Sequence, residues 1–125
     1  YDLASDLTEK MLKERPEIDV VIGTNEYSAV GAARGVKKMG MEDQVKVVGF
    51  DNSVEQIQLL EAGVFQGIVI QKPFNIGYLG AEQAVKAIEG YPMEYNLDSG
   101  CKLITKENMY EEENQRLLYS FSGQQ

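Results

Sequence analysis

An asparagine, an aspartate and a glutamine, each just beyond a short apolar run, carry most of the chemistry this sequence can offer. Asn25 follows Ile18 to Gly23 (IDVVIG), Asp51 follows Val45 to Phe50 (VKVVGF), and Gln71 follows Gly67 to Ile70 (GIVI). A carboxylate accepts from neighbouring hydroxyls, while Asn and Gln amides donate and accept at once. Bonds to an ionised Asp51 would be the strongest of the set. Such a trio suits a polyhydroxylated ligand such as a sugar, and Phe50, beside Asp51, offers an apolar wall for the C–H face of a ring. Each residue also has a plainer role open to it. Asn25 and Asp51 are common cap or turn residues, Gln71 can simply end a strand, and Phe50 can be core. Their co-location at the ends of three similar runs favours a site.

Reactive chemistry has less to work with. The chain holds no histidine and one cysteine, Cys101. The commonest general acid-base residue is therefore missing, and no Ser/His or Cys/His pair or thiolate metal cluster can form. A single cysteine excludes an internal disulfide framework. These absences predict a protein that is not an enzyme and uses no cofactor or metal. Asp51 as a phosphoacceptor, in a receiver-like signalling domain, needs an acidic pair near the first strand to hold Mg²⁺. Only Glu26 stands there. The net charge of −8 repels phosphate backbones, so nucleic acid is not an expected partner of this segment. No apolar stretch approaches the roughly 20 residues a membrane helix needs.

The elements that must position these residues alternate in type. Leu3, Leu7, Met11 and Leu12 recur at helical spacing, and Pro16 ends the pattern. Residues 18–23 read as a strand buried on both faces, rich in β-branched side chains. A second helix runs through Ala29, Ala32, Ala33 and Val36 to Gly40, then a strand over 45–50. A third helix runs through Val54, Ile57 and Leu60 to Gly63, then a strand over 67–70. Pro73 opens a fourth helix that ends at Gly90. Its Gly77, Gly80, Ala81 and Ala84 predict close approach to another layer, read here as core packing. Residues 91–99 are turn-rich, Cys101 to Ile104 is a short strand, Thr105 can cap a last helix near Glu107 to Tyr119, and Ser122 to Gln125 form a tail. Alternating strands and helices joined by short connections predict an α/β fold, a three-layer parallel sheet with helices on both faces. Ligands of such sheets bind outside the carboxyl ends of the strands, where Asn25, Asp51 and Gln71 stand.

Three segments carry a resemblance. TNEYSAVGAARGVKKMG resembles the pattern N-D-x-x-A-x-G-A, VKVVGFD resembles V-x-V-V-G-F-D, and EAGVFQGIVIQKPFNIGYLG resembles G-x-x-x-A-T-I-x-Q-x-P-x-x-x-G. Together, over residues 5–108, they are similar to the second lobe of ribose- and galactose-type periplasmic sugar-binding proteins. The lactose-repressor sensor domains share that type I periplasmic-binding-protein fold. The resemblance implies that Asn25, Asp51 and Gln71 contact a sugar and that Phe50 lies against its ring. Glu26 stands where the pattern has Asp, Gly67 where it has Ala, and Ile68 where it has Thr, so any contact from the residue after Asn25 is altered. The resemblance further implies an incomplete fold: residues 1–71 as a second-lobe α/β segment, 72–97 as a hinge crossing with a first-lobe-type helix, and 98–125 as the hinge return and C-terminal helix. The first lobe and the opening strands of the second would be missing.

Repressors of this fold carry a Leu-Thr-Thr-Val-like stretch where this chain has Gly67-Ile68-Val69-Ile70, and Glu61-Ala62-Gly63 is more similar to the transport type. The resemblance therefore implies the C-terminal part of an extracytoplasmic solute-binding protein that holds a monosaccharide-like ligand between two lobes. Its partners would be a transporter permease or a sensor kinase. The effector-binding domain of a lactose-repressor-type regulator is the alternative.

Overall fold

A computed structural model describes residues 1–119. Among them, helices and strands alternate as α1 (Asp2–Glu14), β1 (Val20–Ile22), α2 (Glu26–Lys38), β2 (Lys46–Phe50), α3 (Val54–Glu61), β3 (Phe65–Gln71), α4 (Pro73–Glu89), β4 (Cys101–Ile104) and α5 (Glu112–Tyr119). The expected tail, Ser122 to Gln125, lies outside the described residues. The sheet order is β1-β2-β3-β4. β1 runs parallel to β2 with Val21 opposite Val47, and β2 runs parallel to β3 with Val48 opposite Gly67. Parallel neighbours cannot be joined by a tight turn, so α2 and α3 make the crossovers. The fold is the expected α/β class with a parallel open sheet.

The chain divides into two compact units. One is Tyr1–Ile70 with the chain from Leu103 onward, and the other is Gln71–Lys102. The first unit has a continuous core. Val45, Val47, Leu60, Phe65, Ile68, Ile104, Met109 and Leu118 are all buried, and Ala29, Ala33 and Val36 of α2 join them. Backbone approach is tight where α2 meets its neighbours. A Cβ on Gly23 would lie 2.2 Å from Ala29 Cα, and one on Gly31 would lie 2.5 Å from Tyr1 O. Side chains there would have to displace backbone, so glycine is required at both positions.

That closeness corrects the expected face of α1. Ser5, Thr8 and Leu12 are buried, whereas Leu3, Leu7 and Met11 are exposed. Gly31 and Gly35 present α2 backbone to α1, and only small side chains fit against it. β1 also departs from expectation, with Val20 47% and Ile22 64% exposed. It ends the described sheet, and alternate side chains point to opposite faces, so one face of it stays open. β3 begins earlier than expected, at the buried Phe65. α5 begins later, at Glu112, because residues 106–110 form a turn in which Asn108 Oδ1 accepts from the Thr105 N–H at 2.9 Å.

The second unit centres on α4. Pro73 stands at its first turn, and Gly90 closes it at φ 76°. The loop after the helix is tied back by Asn75 Nδ2 donating to Ser99 O at 3.2 Å and by the Glu94 N–H donating to Gln83 Oε1 at 2.9 Å. An open cavity of about 310 Å³ lies between, lined by Ile76, Gln83, Tyr95 and Leu97 among others. No residue of α4 is buried, and a Cβ on Gly77 or Gly80 would meet nothing within 4 Å. The expected core packing of its small residues is not present among the described residues.

Candidate ligand-binding edge

Asn25 sits three residues beyond β1 and caps α2. Its Oδ1 accepts from the Ser28 N–H at 2.9 Å, and Ser28 Oγ accepts from the Asn25 N–H at 3.2 Å. This reciprocal pair satisfies donors that every helix start leaves open. It also commits the Asn25 oxygen, whereas the bonds of this cap do not use the side-chain NH₂ donors.

Asp51 immediately follows β2, at φ 72°. The left-handed region is uncommon for a residue with a Cβ, though Asp tolerates it better than most. Contacts on two sides hold it there. Its N–H donates to Val69 O of β3 at 3.0 Å, and its Oδ2 accepts from the Glu26 N–H at 3.3 Å. The second bond decides the geometry of the edge. Glu26 is the first residue of α2, so the carboxylate from the end of β2 docks on the helix start that Asn25 caps. An anion is favourable at that positive end of the helix dipole.

Phe50, the last residue of β2, is half-buried and falls outside the buried core set. Its carbonyl accepts from Gln56 Nε2 at 2.8 Å. Gln71 is exposed and ends β3, and it is the first residue of the second unit, whereas Asn25, Phe50 and Asp51 belong to the first. The structure thus joins Asn25 and Asp51 through one backbone amide, and sets Gln71 at the end of the neighbouring strand.

Beside the edge lies a cluster that spacing alone did not single out. Tyr1 OH donates to Glu26 Oε1, and this bond is the main reason the Tyr1 phenol is pushed up to about 12 from its usual 10.0. The Tyr1 ring leans on Tyr27, with centroids 5.1 Å apart, and Arg34 lies 4.8 Å above it. Arg34 in turn grips Glu55 of α3 in a two-pronged ion pair, Nε to Oε1 at 2.9 Å and Nη2 to Oε2 at 2.7 Å. That bond is the first cause of a raised Arg34 pKa. Glu26, the departure from the family pattern, is therefore engaged by Tyr1 on the α1 side.

The chain matches the periplasmic binding protein domain over residues 1–92. The chain belongs to the periplasmic binding protein family. The ribose import binding protein of Haemophilus influenzae is 28% identical over 100 residues, covering 80% of this chain and 34% of that protein. A sugar transporter structure from Clostridium phytofermentans is 49% identical with a TM-score of 0.68, covering 85% of this chain and 37% of that one. A carbohydrate transporter solute-binding protein from Agrobacterium radiobacter, solved with D-arabinose, is 29% identical with a TM-score of 0.80, covering 94% of this chain and 40% of that one. The chain thus spans about a third of the length of its ribose-binding relative.

Proposed function

We propose that this chain forms the C-terminal part of an extracytoplasmic, two-lobed solute-binding protein. It holds a monosaccharide-like ligand and delivers it to a membrane transporter. It acts by binding and catalyses no reaction. The observation that carries the reading is the bond from the Glu26 N–H to Asp51 Oδ2, which gathers the Asn25 amide and the Asp51 carboxylate at one strand-end edge. Asn25 donates and Asp51 accepts, a pairing that matches two adjacent hydroxyls of a sugar. Phe50 supplies an apolar flank, and Gln71 adds an amide from the crossing into the other lobe. The ribose- and arabinose-binding relatives support this ligand class.

The division proposed for the chain is residues 1–71 as second-lobe segment, 72–97 as hinge crossing with a first-lobe-type helix, and 98–125 as return and C-terminal helix. An α4 without a buried residue, and the exposed Val20 and Ile22, support a further lobe and further strands as the natural cover. Closure of the two lobes about the ligand would be the signal a permease reads.

The test is a thermal-shift series on the polypeptide carrying both lobes, with D-ribose, D-arabinose, D-xylose and D-galactose, beside Asp51→Ala. A ligand that binds only the folded state raises the melting temperature with dose. The expected result is a shift with one or two sugars that Asp51→Ala abolishes. A shift that survives Asp51→Ala would place the site elsewhere.

A further inference from the structure

The loop that presents Asp51 is anchored well beyond its own strand. On the inner side, the fully buried Gln56 amide spans it: Nε2 donates to Phe50 O at 2.8 Å, and Oε1 accepts from the Ser53 N–H at 2.9 Å. On the other side, Asn52 Nδ2 donates to Leu117 O at 3.2 Å and to Leu118 O at 2.8 Å. Both carbonyls belong to α5. α5 and the turn before it are seated in the first unit. Leu118 and Met109 are buried, Leu117 packs against the core, and Tyr110 OH reaches Glu61 Oε1 at the end of α3 at 2.6 Å.

The geometry points to Asn52 as a positioning residue for the Asp51 carboxylate, with α5 as the brace it acts through. Asp51 adopts a backbone conformation that residues with side chains keep only when their surroundings over-determine it. Gln56 fixes the carbonyl before Asp51 and the N–H two residues after it, yet neither contact restrains residue 52 itself. Asn52 does, and its anchor lies 65 residues further along the chain. Without it the 51–52 peptide gains freedom, and the carboxylate leaves the Glu26 N–H. The C-terminal segment then tunes ligand affinity although it supplies no group to the ligand.

This inference rests on Asp51 being a ligand group, and its test separates the two ideas. In the two-lobed polypeptide, the sugar among D-ribose, D-arabinose, D-xylose and D-galactose that gives the largest thermal shift is titrated by calorimetry. Asn52→Ala is expected to weaken its binding about tenfold, the equivalent of one hydrogen bond. Tyr110→Phe, which removes one exposed bond of the turn before α5 and leaves the Asn52 anchor and the buried Leu118 in place, is the control for a merely structural loss: it lowers the melting temperature and leaves affinity unchanged. A second readout needs no sugar. Amide hydrogen exchange in this chain should speed up about tenfold at Asp51 in Asn52→Ala and stay unchanged there in Tyr110→Phe. Unchanged affinity in Asn52→Ala, whatever the exchange shows, overturns the positioning role. Unchanged exchange at Asp51 overturns the brace. If no sugar binds but exchange rises, the ligand reading fails and the positioning role falls with it, leaving α5 as a structural anchor of the loop.

Discussion

The two compact units treat apolar residues in opposite ways. In the first, Phe65, Leu60 and Ile68 are sealed inside a core shared by sheet and helices. In the second, α4 is longer than any other helix described and richly apolar, yet Phe74, Ile76, Tyr78, Val85 and Ile88 all face solvent, the last at 85%. Burying a side chain of that size is worth about 1.5–3 kcal/mol. Helix signals are local, but the stability of a helix in a protein comes mainly from packing one face. α4 has local signals at both ends, Pro73 at its start and Gly90 at its close, and no buried residue. The difference teaches that a sequence can specify a helix and its cover separately.

The largest expected effects test this contrast directly. Phe65→Ala should cost about 3–5 kcal/mol in urea denaturation, whereas Phe74→Ala should change stability by about 0.5 kcal/mol or less. Equal losses would show that α4 is packed after all. Glycines sharpen the same point. Gly23→Ala drives a methyl into α2 backbone and should destabilise by about 1–3 kcal/mol. Gly77→Ala should instead stabilise α4 by up to about 1 kcal/mol, since nothing opposes the methyl and alanine is the better helix former. In the two-lobed polypeptide that gain should vanish or reverse if another lobe lies against α4, a result readable from paired melting curves.

Smaller effects fall at the strand-end edge. Asn25→Ala removes the α2 cap and should cost about 1 kcal/mol, read by thermal denaturation. Asn25→Asp keeps the capping oxygen but removes the donors, so it should spare stability while losing sugar binding. The smallest effect concerns Tyr1. Its phenol is raised to about 12 in the fold, so the folded state favours the neutral form. That contribution is whole below pH 10 and fades as pH rises through about 12. Ultraviolet titration should show a late-ionising tyrosine that shifts back toward ordinary behaviour in Glu26→Ala, which removes the hydrogen-bond acceptor that is the largest cause.

Much of the first unit was legible because its signals are periodic. Val45 to Phe50, interrupted only by Lys46, and the run before Gln71 are largely apolar stretches, and parallel strands read that way. Where reading failed, the partner surface decided. Leu3, Leu7 and Met11 make a convincing apolar stripe, but glycines on α2 admit only Ala4, Ser5 and Thr8. Nothing within α1 announces that. The start of α5 was misplaced because Asn108 takes the Thr105 N–H and holds residues 106–110 in a turn.

At the edge, Asn25 and Asp51 were visible as residues following strands. Their union through the Glu26 N–H was not, because a backbone amide leaves no mark in sequence. Gln56 was within reach of inspection, since Ser53 and Gln56 stand at the spacing of a reciprocal helix cap. Asn52 was beyond it, because its partners are carbonyls far along the chain.

The positive φ of Asp51 also bears on how this protein would respond to laboratory evolution. A backbone at 72° is one that glycine occupies without strain, so Asp51→Gly would relieve conformational tension while erasing the carboxylate. A campaign that ranked variants by heat tolerance alone would weigh that relief only against the lost bond to the Glu26 N–H, and would take no account of the ligand role proposed for the carboxylate. On the proposed role of Asp51, position 51 is where durability and recognition pull apart, and libraries meant to keep recognition should hold it fixed.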